Sequence, residues 1–186
     1  MNLEDTAVII TPDAVRDGLE QQILHDLLAI GPMRVLWQRY WQIEDPGIVL
    51  TIYPRLLGRP FYSSVLRTMT LGKCLVLLLQ GENTFSLLKN AKGKIDYNGY
   101  SVDVTGLRLK YRSWSPEEVR FLGCRNKAVL DKIFEFRLHT ADTLFETATI
   151  CSLCMSREEL EVLRDVAPTL YAEINKIKSE GPAGVL

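Results

Sequence analysis

Cys74-Leu75-Val76-Leu77-Leu78-Leu79-Gln80 is apolar at every position except its last, and it lies between two segments of helical spacing. A strand that is apolar on both faces must be covered on both, so this run predicts a central strand with helices above and below it. On its N-terminal side, Arg59-Pro60-Phe61 opens a helix through about Met69, with Phe61, Val65, Leu66 and Met69 on one face. On its C-terminal side, Asn83 is placed to cap a helix from Thr84 to Asn90. The run is far shorter than the ~20 apolar residues that cross a bilayer.

Further out, Thr6 to Ile10 is β-branched and apolar and predicts a short buried strand stopped by Thr11-Pro12-Asp13. Val15, Leu19, Ile23, Leu27 and Ile30 recur at helical spacing until Gly31-Pro32. Residues Val35 to Ile43 predict a second strand, and Asp45 to Gly58 a short helix. An irregular insert of about residues 91–118 contains a hairpin signal at Asn98-Gly99. Ser115-Pro116-Glu117-Glu118 opens a helix as a capping box. Lys132 to Leu138 then alternates as a last strand that delivers His139 just beyond its end. Helices follow over Thr143 to Ile150 and Ser156 to Lys178, the second opening with another capping box. This order predicts an α/β fold: a ferredoxin-like sandwich in which a small antiparallel βαββαβ sheet is covered by helices. The domain spans residues 1–155, followed by a C-terminal helix over 156–178 and a flexible tail over 179–186.

Composition restricts the function. The 22 Lys+Arg and 23 Asp+Glu leave a net charge of −1, so no long-range field recruits nucleic acid or acidic lipid. The N-terminus lacks the basic-then-apolar plan of a secretory signal, and the expected location is cytoplasmic. Cys151-Ser152-Leu153-Cys154 lacks the second ligand pair of a zinc site and lies too late in the chain for a thioredoxin-like motif. It reads as two thiols in a helical segment.

Of the two histidines, His25 lies inside the first amphipathic segment, whereas His139 stands at a strand end before Thr140-Ala141-Asp142-Thr143. A histidine at such a junction acts as base or nucleophile when a neighbour orients its second ring nitrogen. Glu146 is spaced to be that neighbour, directly or with Thr143 as a relay, and Asp142 is placed to support the turn.

Four segments together resemble one family. Ile10-Thr11-Pro12-Asp13-Ala14-Val15 with Gly18-Leu19, then Tyr53 with Arg59-Pro60-Phe61-Tyr62, then Leu77-Leu78-Leu79-Gln80-Gly81-Glu82-Asn83, and finally His139-Thr140-Ala141-Asp142-Thr143, occur in the order and near the spacing seen in nucleoside diphosphate kinases. The resemblance implies a ping-pong reaction. A histidine takes the γ-phosphoryl group of a nucleoside triphosphate, with Mg²⁺, and hands it to a diphosphate. It implies His139 as the carrier, Phe61 as the base-stacking aromatic, and Tyr53 and Lys89 near the phosphates. A further arginine is implied there too, with Arg108, Arg120 and Arg125 all open. It also implies a homo-oligomer whose partners are nucleoside tri- and diphosphates.

The departures are equally specific. Thr11 replaces a phosphate-binding lysine, and Glu135 and Phe136 replace an arginine and an asparagine before the histidine. Ile150 takes the place of the carboxylate that orients it. Losing such groups costs about ten- to a thousandfold each in phosphoryl transfer. Arg137 and Glu146 are the candidates for compensation. The basic residues Lys92, Lys94, Arg108, Lys110 and Arg112 of the insert are candidates to bind phosphate or a partner, with a solvated charged loop as the plainer reading.

Overall fold

The computed structural model describes residues 3–180. Strand β1 (Leu3–Ile10) leads into α1 (Pro12–Arg16) and α2 (Glu20–Leu28), and β2 (Met33–Gln42) into α3 (Pro46–Ile52). A 3-10 turn at Pro54–Leu56 precedes α4 (Tyr62–Thr70), β3 (Lys73–Glu82) and α5 (Thr84–Lys92). The insert forms a hairpin, β4 (Ile95–Tyr97) and β5 (Val102–Val104), and a short α6 (Gly106–Lys110). Then come α7 (Pro116–Leu122), α8 (Lys127–Ile133), β6 (Leu138–Thr140), α9 (Leu144–Cys154), α10 (Arg157–Val166) and α11 (Pro168–Glu180).

The main sheet has the order β2-β3-β1-β6 and is antiparallel throughout, the arrangement expected of a ferredoxin-like sandwich. The deciding run behaves as its composition requires. Cys74, Val76 and Leu78 join Ala7 and Ile9 in one buried cluster, while Leu75, Leu77 and Leu79 join Val8 and Ile10 in another. Helices α3, α4, α9, α10 and α11 cover the first face and α1, α2 and α5 the second. Both capping boxes form, at Ser115 with Glu118 and at Ser156 with Glu159.

Five expectations need correction. The first helical segment is broken, because Gly18 turns the chain at φ +70 between α1 and α2. The C-terminal segment breaks at Ala167 before Pro168, which has no N–H to continue a helix. Asn83 does not cap α5 with its side chain; it holds a left-handed conformation instead, at φ 55. Lys132 to Leu138 is not a strand. Asn126 caps α8 by accepting from the amides of Ala128 and Val129, and Val129, Leu130 and Ile133 bury a helical face. His139 therefore lies within the three-residue β6, not beyond its end. Finally, Ser179 and Glu180 belong to α11; the rest of the expected tail, 181–186, lies outside the described residues.

Candidate active site

Strand β6 is a sheet edge. His139 pairs with Ile9 of β1, so the carbonyls of Leu138 and Thr140 point away from the sheet. No strand meets them among the described residues. Cations do. Arg108 donates to the Leu138 carbonyl through Nε at 3.3 Å and Nη2 at 3.2 Å, and Lys92 Nζ donates to the Thr140 carbonyl at 3.0 Å. Arg108 also reaches the Gly93 carbonyl and lies 5.5 Å from the centre of the Phe136 ring.

Because side chains alternate across a strand, Leu138 enters the second core and His139 turns to the opposite face. There its imidazole meets the ring of Tyr53 edge to face, centroids 4.8 Å apart. The next helix supplies a carboxylate. Thr143 caps α9 by accepting from the Glu146 amide at 3.1 Å, which places Glu146 in the first turn, pointing back. Glu146 Oε1 is 2.9 Å from His139 Nε2, and Oε2 accepts from the Asp142 amide at 2.7 Å. The Nε2 contact is close enough for an ion pair but poorly aligned for a hydrogen bond, so Nε2 has no aligned partner. Asp142 in turn receives Lys92 at 3.3 Å and Lys89 at 3.5 Å, one on each oxygen. His139, Glu146, Asp142, Lys92 and Thr140 thus form a closed ring of contacts.

Electrostatics follow from burial. His139 is only 6% exposed, and desolvation holds its imidazole below its ordinary range against the opposing pull of Glu146. Burial works to raise the Glu146 carboxyl, but the histidine contact and the Asp142 amide together leave the group below its usual value. Asp142 is held low in the same way, with Lys92 as the main opponent of desolvation. The Tyr53 hydroxyl is sealed and without a partner, and burial pushes its pKa well up.

A cleft of about 640 Å³ opens beside this cluster, within the size range of small-molecule sites. Tyr53, Arg55, Arg59 and Phe61 line one wall, and Asp142, Thr143, Phe145 and Glu146 the other. Phe61 is backed by Phe134, stacked at 4.2 Å, and by the edge of Tyr97. The structure thus gathers His139, Glu146, Asp142, Thr143, Tyr53, Phe61 and Lys89 with Arg108, one of the three arginines left open, and adds Lys92, Arg55 and Arg59; Lys92 and Arg108 hold the β6 carbonyls rather than a solvated loop. Lys92 had one signal in the sequence: it follows Lys89 at helical spacing on a single face.

Other candidates lie elsewhere. Arg137 is buried, with Nε on the Tyr111 carbonyl and Nη1 shared between the Asp13 carbonyl and the Asp17 carboxylate. It turns away from the cleft. Thr11 is fully buried at the start of α1. Arg120 lines a separate crevice with Tyr100 and Trp114, and Arg125 stacks over Tyr100 at 4.2 Å. Ile150 and Phe136 are core residues. The cysteines are free and buried, and burial pushes the Cys151 thiol up to about 12, so the C-x-x-C pair is packing. No helix among the described residues is long and apolar enough to cross a membrane.

Comparison with known proteins places the fold in a family. The profile of the family described as nucleoside diphosphate kinase matches residues 4–120. The chain belongs to the nucleoside diphosphate kinase family. It is 33% identical over 96 residues to the nucleoside diphosphate kinase of Methylocella silvestris, covering 52% of this chain and 67% of that one. With that of Staphylothermus marinus it shares 30% over 100 residues, covering 52% and 67%. Among solved structures it resembles the Borrelia burgdorferi enzyme, a transition-state mimic with bound vanadate and ADP. There the TM-score is 0.61 at 13% identity, covering 84% of this chain and 89% of that one. The Aquifex aeolicus enzyme gives 0.57 at 18%, covering 85% and 99%. At these identities the structural likeness speaks for the fold.

Proposed function

We propose that the protein transfers the γ-phosphoryl group of a nucleoside triphosphate to an acceptor diphosphate through His139. The observation that carries this reading is the placement of Glu146 against Nε2. A carboxylate there favours the proton on Nε2 and leaves the Nδ1 lone pair as nucleophile. Glu146 supplies this from the first turn of α9, one turn before Ile150, so the orienting carboxylate is displaced along the helix rather than lost. In the forward step Nδ1 forms the N–P bond as the bond from Pγ to the bridging oxygen breaks. The electron pair leaves with the nucleoside diphosphate. The second half-reaction reverses these events with a different diphosphate.

The open face of Phe61 receives a base, with Phe134 behind it as a rigid backing. Arg55 and Arg59 on the same wall meet the phosphates. No cluster of three or more His, Cys, Asp or Glu side chains among the described residues is suited to hold a metal ion. Mg²⁺ therefore fits here as a companion of the nucleotide phosphates rather than as a resident ion, and when bound it neutralises charge on them.

One observation favours a binding-only reading: Tyr53 covers His139, which leaves little of the ring exposed. The two readings separate on incubation with γ-³²P-ATP and Mg²⁺. Transfer predicts an acid-labile, base-stable label, absent from His139→Ala and restored to ADP on a chase. Nucleotide binding without label would leave only the binding module.

A further inference from the structure

Lys92 is a buried ammonium, its side chain 9% exposed, and nothing in the reading above uses it. A buried cation must be matched, and Lys92 is matched only in part. It makes a 3.0 Å bond to the Thr140 carbonyl and a longer 3.3 Å contact to Asp142 Oδ1. An ammonium has three donors, so one remains. Lys89 approaches the other oxygen of Asp142, so that carboxylate keeps one cation when Lys92 turns away. The carbonyl that anchors Lys92 belongs to the residue directly after His139.

We propose that Lys92 is the cation that receives the phosphoryl group on His139. This role rests on the phosphohistidine reading. When the N–P bond forms, negative charge appears beside a buried ring. One N–H of Lys92 then turns from Asp142 Oδ1 to a phosphoryl oxygen, and Lys89 keeps Asp142 paired. The bond to the Thr140 carbonyl stays in place and holds the ammonium at the same turn. A lysine suits the task because its donors rotate freely about one point. Arg108, the other cation near the ring, has Nε and both terminal nitrogens committed to carbonyls. The charge that Thr11 does not provide thus comes from helix α5.

Four chains test this: wild type, Lys92→Met, Lys92→Arg and Lys94→Met, each with γ-³²P-ATP and Mg²⁺ after a thermal melt has confirmed folding. Lys92→Met is expected to slow labelling by roughly a hundred- to a thousandfold, the usual cost of removing one donor to developing charge. Lys92→Arg retains a measurable part of the rate, and Lys94→Met, which removes an exposed cation of the insert, stays within about threefold of wild type. A second measurement needs no nucleotide. The Lys92 charge opposes protonation of His139, so NMR titration of the imidazole shifts upward in Lys92→Met and little in Lys92→Arg. A purely structural Lys92 would not separate these two variants. Wild-type labelling rates in Lys92→Met, or an unmoved titration, would overturn the role of Lys92 alone. No label on wild type would overturn the phosphohistidine reading, and this role with it.

Discussion

Strand β1 has two neighbours, and they are held in different ways. Against β3 it forms eight register pairs, from Leu3 with Glu82 to Ile10 with Leu75, and from Asp5 to Ile10 the side chains on both faces are buried. Against β6 it forms three. A ladder of eight fixes its own register, because a one-residue slip would turn two cores inside out. A ladder of three does not. The strand carrying His139 is instead placed by side chains: Arg108 and Lys92 on its outward carbonyls, and Arg137 just before it. The scaffold is specified by pattern and the site by individual contacts, so the site can change by single substitutions while the fold persists.

The sharpest way to break this contrast is at Arg137. It holds φ 64, a conformation costly for a residue with a β-carbon. It persists because its guanidinium is shared by Tyr111, Asp13 and Asp17 while its carbonyl accepts from the Thr11 amide. Arg137→Met is expected to cost about 3–5 kcal/mol, because it strands the buried Asp13 and frees three acceptors. Urea unfolding measures the loss. Arg137→Gly relieves the backbone yet loses the same contacts, so it should recover only about 1 kcal/mol. If Arg137→Gly were as stable as wild type, side chains would not be what places β6.

This contrast also decides what was legible in the sequence. The run from Cys74 to Gln80 and the two capping boxes are local signals, and local signals survive folding. Glu146 was legible because it lies within two helical turns of His139. Lys132 to Leu138 misled because Phe134, Phe136 and Leu138 alternate as in a strand, while the left-handed turn at Arg137 confines the ladder to three residues. The roles of Arg137 and Lys92 were hidden, since their partners Asp13, Asp17 and Thr140 are brought near only by the sheet.

A smaller effect sharpens the comparison through pH. Burial holds the His139 pKa below 6.5 in the folded chain, whereas the unfolded chain titrates near that value. Between the two values the unfolded chain binds a proton that the folded chain refuses. Stability therefore rises with pH through this window, and the contribution is complete above 6.5. One proton limits the slope to about 1.4 kcal/mol per pH unit. Buried Asp13 has the opposite sign, since burial raises its pKa and the folded chain keeps a proton the unfolded chain releases above 3.8. Urea unfolding at several pH values should show the rising limb in wild type and its loss in His139→Gln, with the Asp13 contribution unchanged. An unaltered rising limb in His139→Gln would mean that His139 titrates alike in both states.

The smallest expected effect lies on the ladder side of the contrast, at Asn83. This residue follows β3 in a left-handed conformation, φ 55, and makes no side-chain bond to the helix it precedes. Its value is conformational: asparagine tolerates this region better than most residues with a β-carbon. Asn83→Ala is therefore expected to cost about 1 kcal/mol. Asn83→Gly should stay within about 0.5 kcal/mol of wild type, because relief of strain offsets the greater freedom of glycine in the unfolded chain. Thermal melts of the pair read the difference. A ladder of eight has register to spare, so neither change should alter the labelling proposed at His139 by more than about twofold after correction for stability. If Asn83→Ala weakened labelling strongly while its melt moved little, β3 would be coupled to the site through α5, the helix that carries Lys89 and Lys92. The division between a scaffold fixed by pattern and a site fixed by contacts would then fail at that helix.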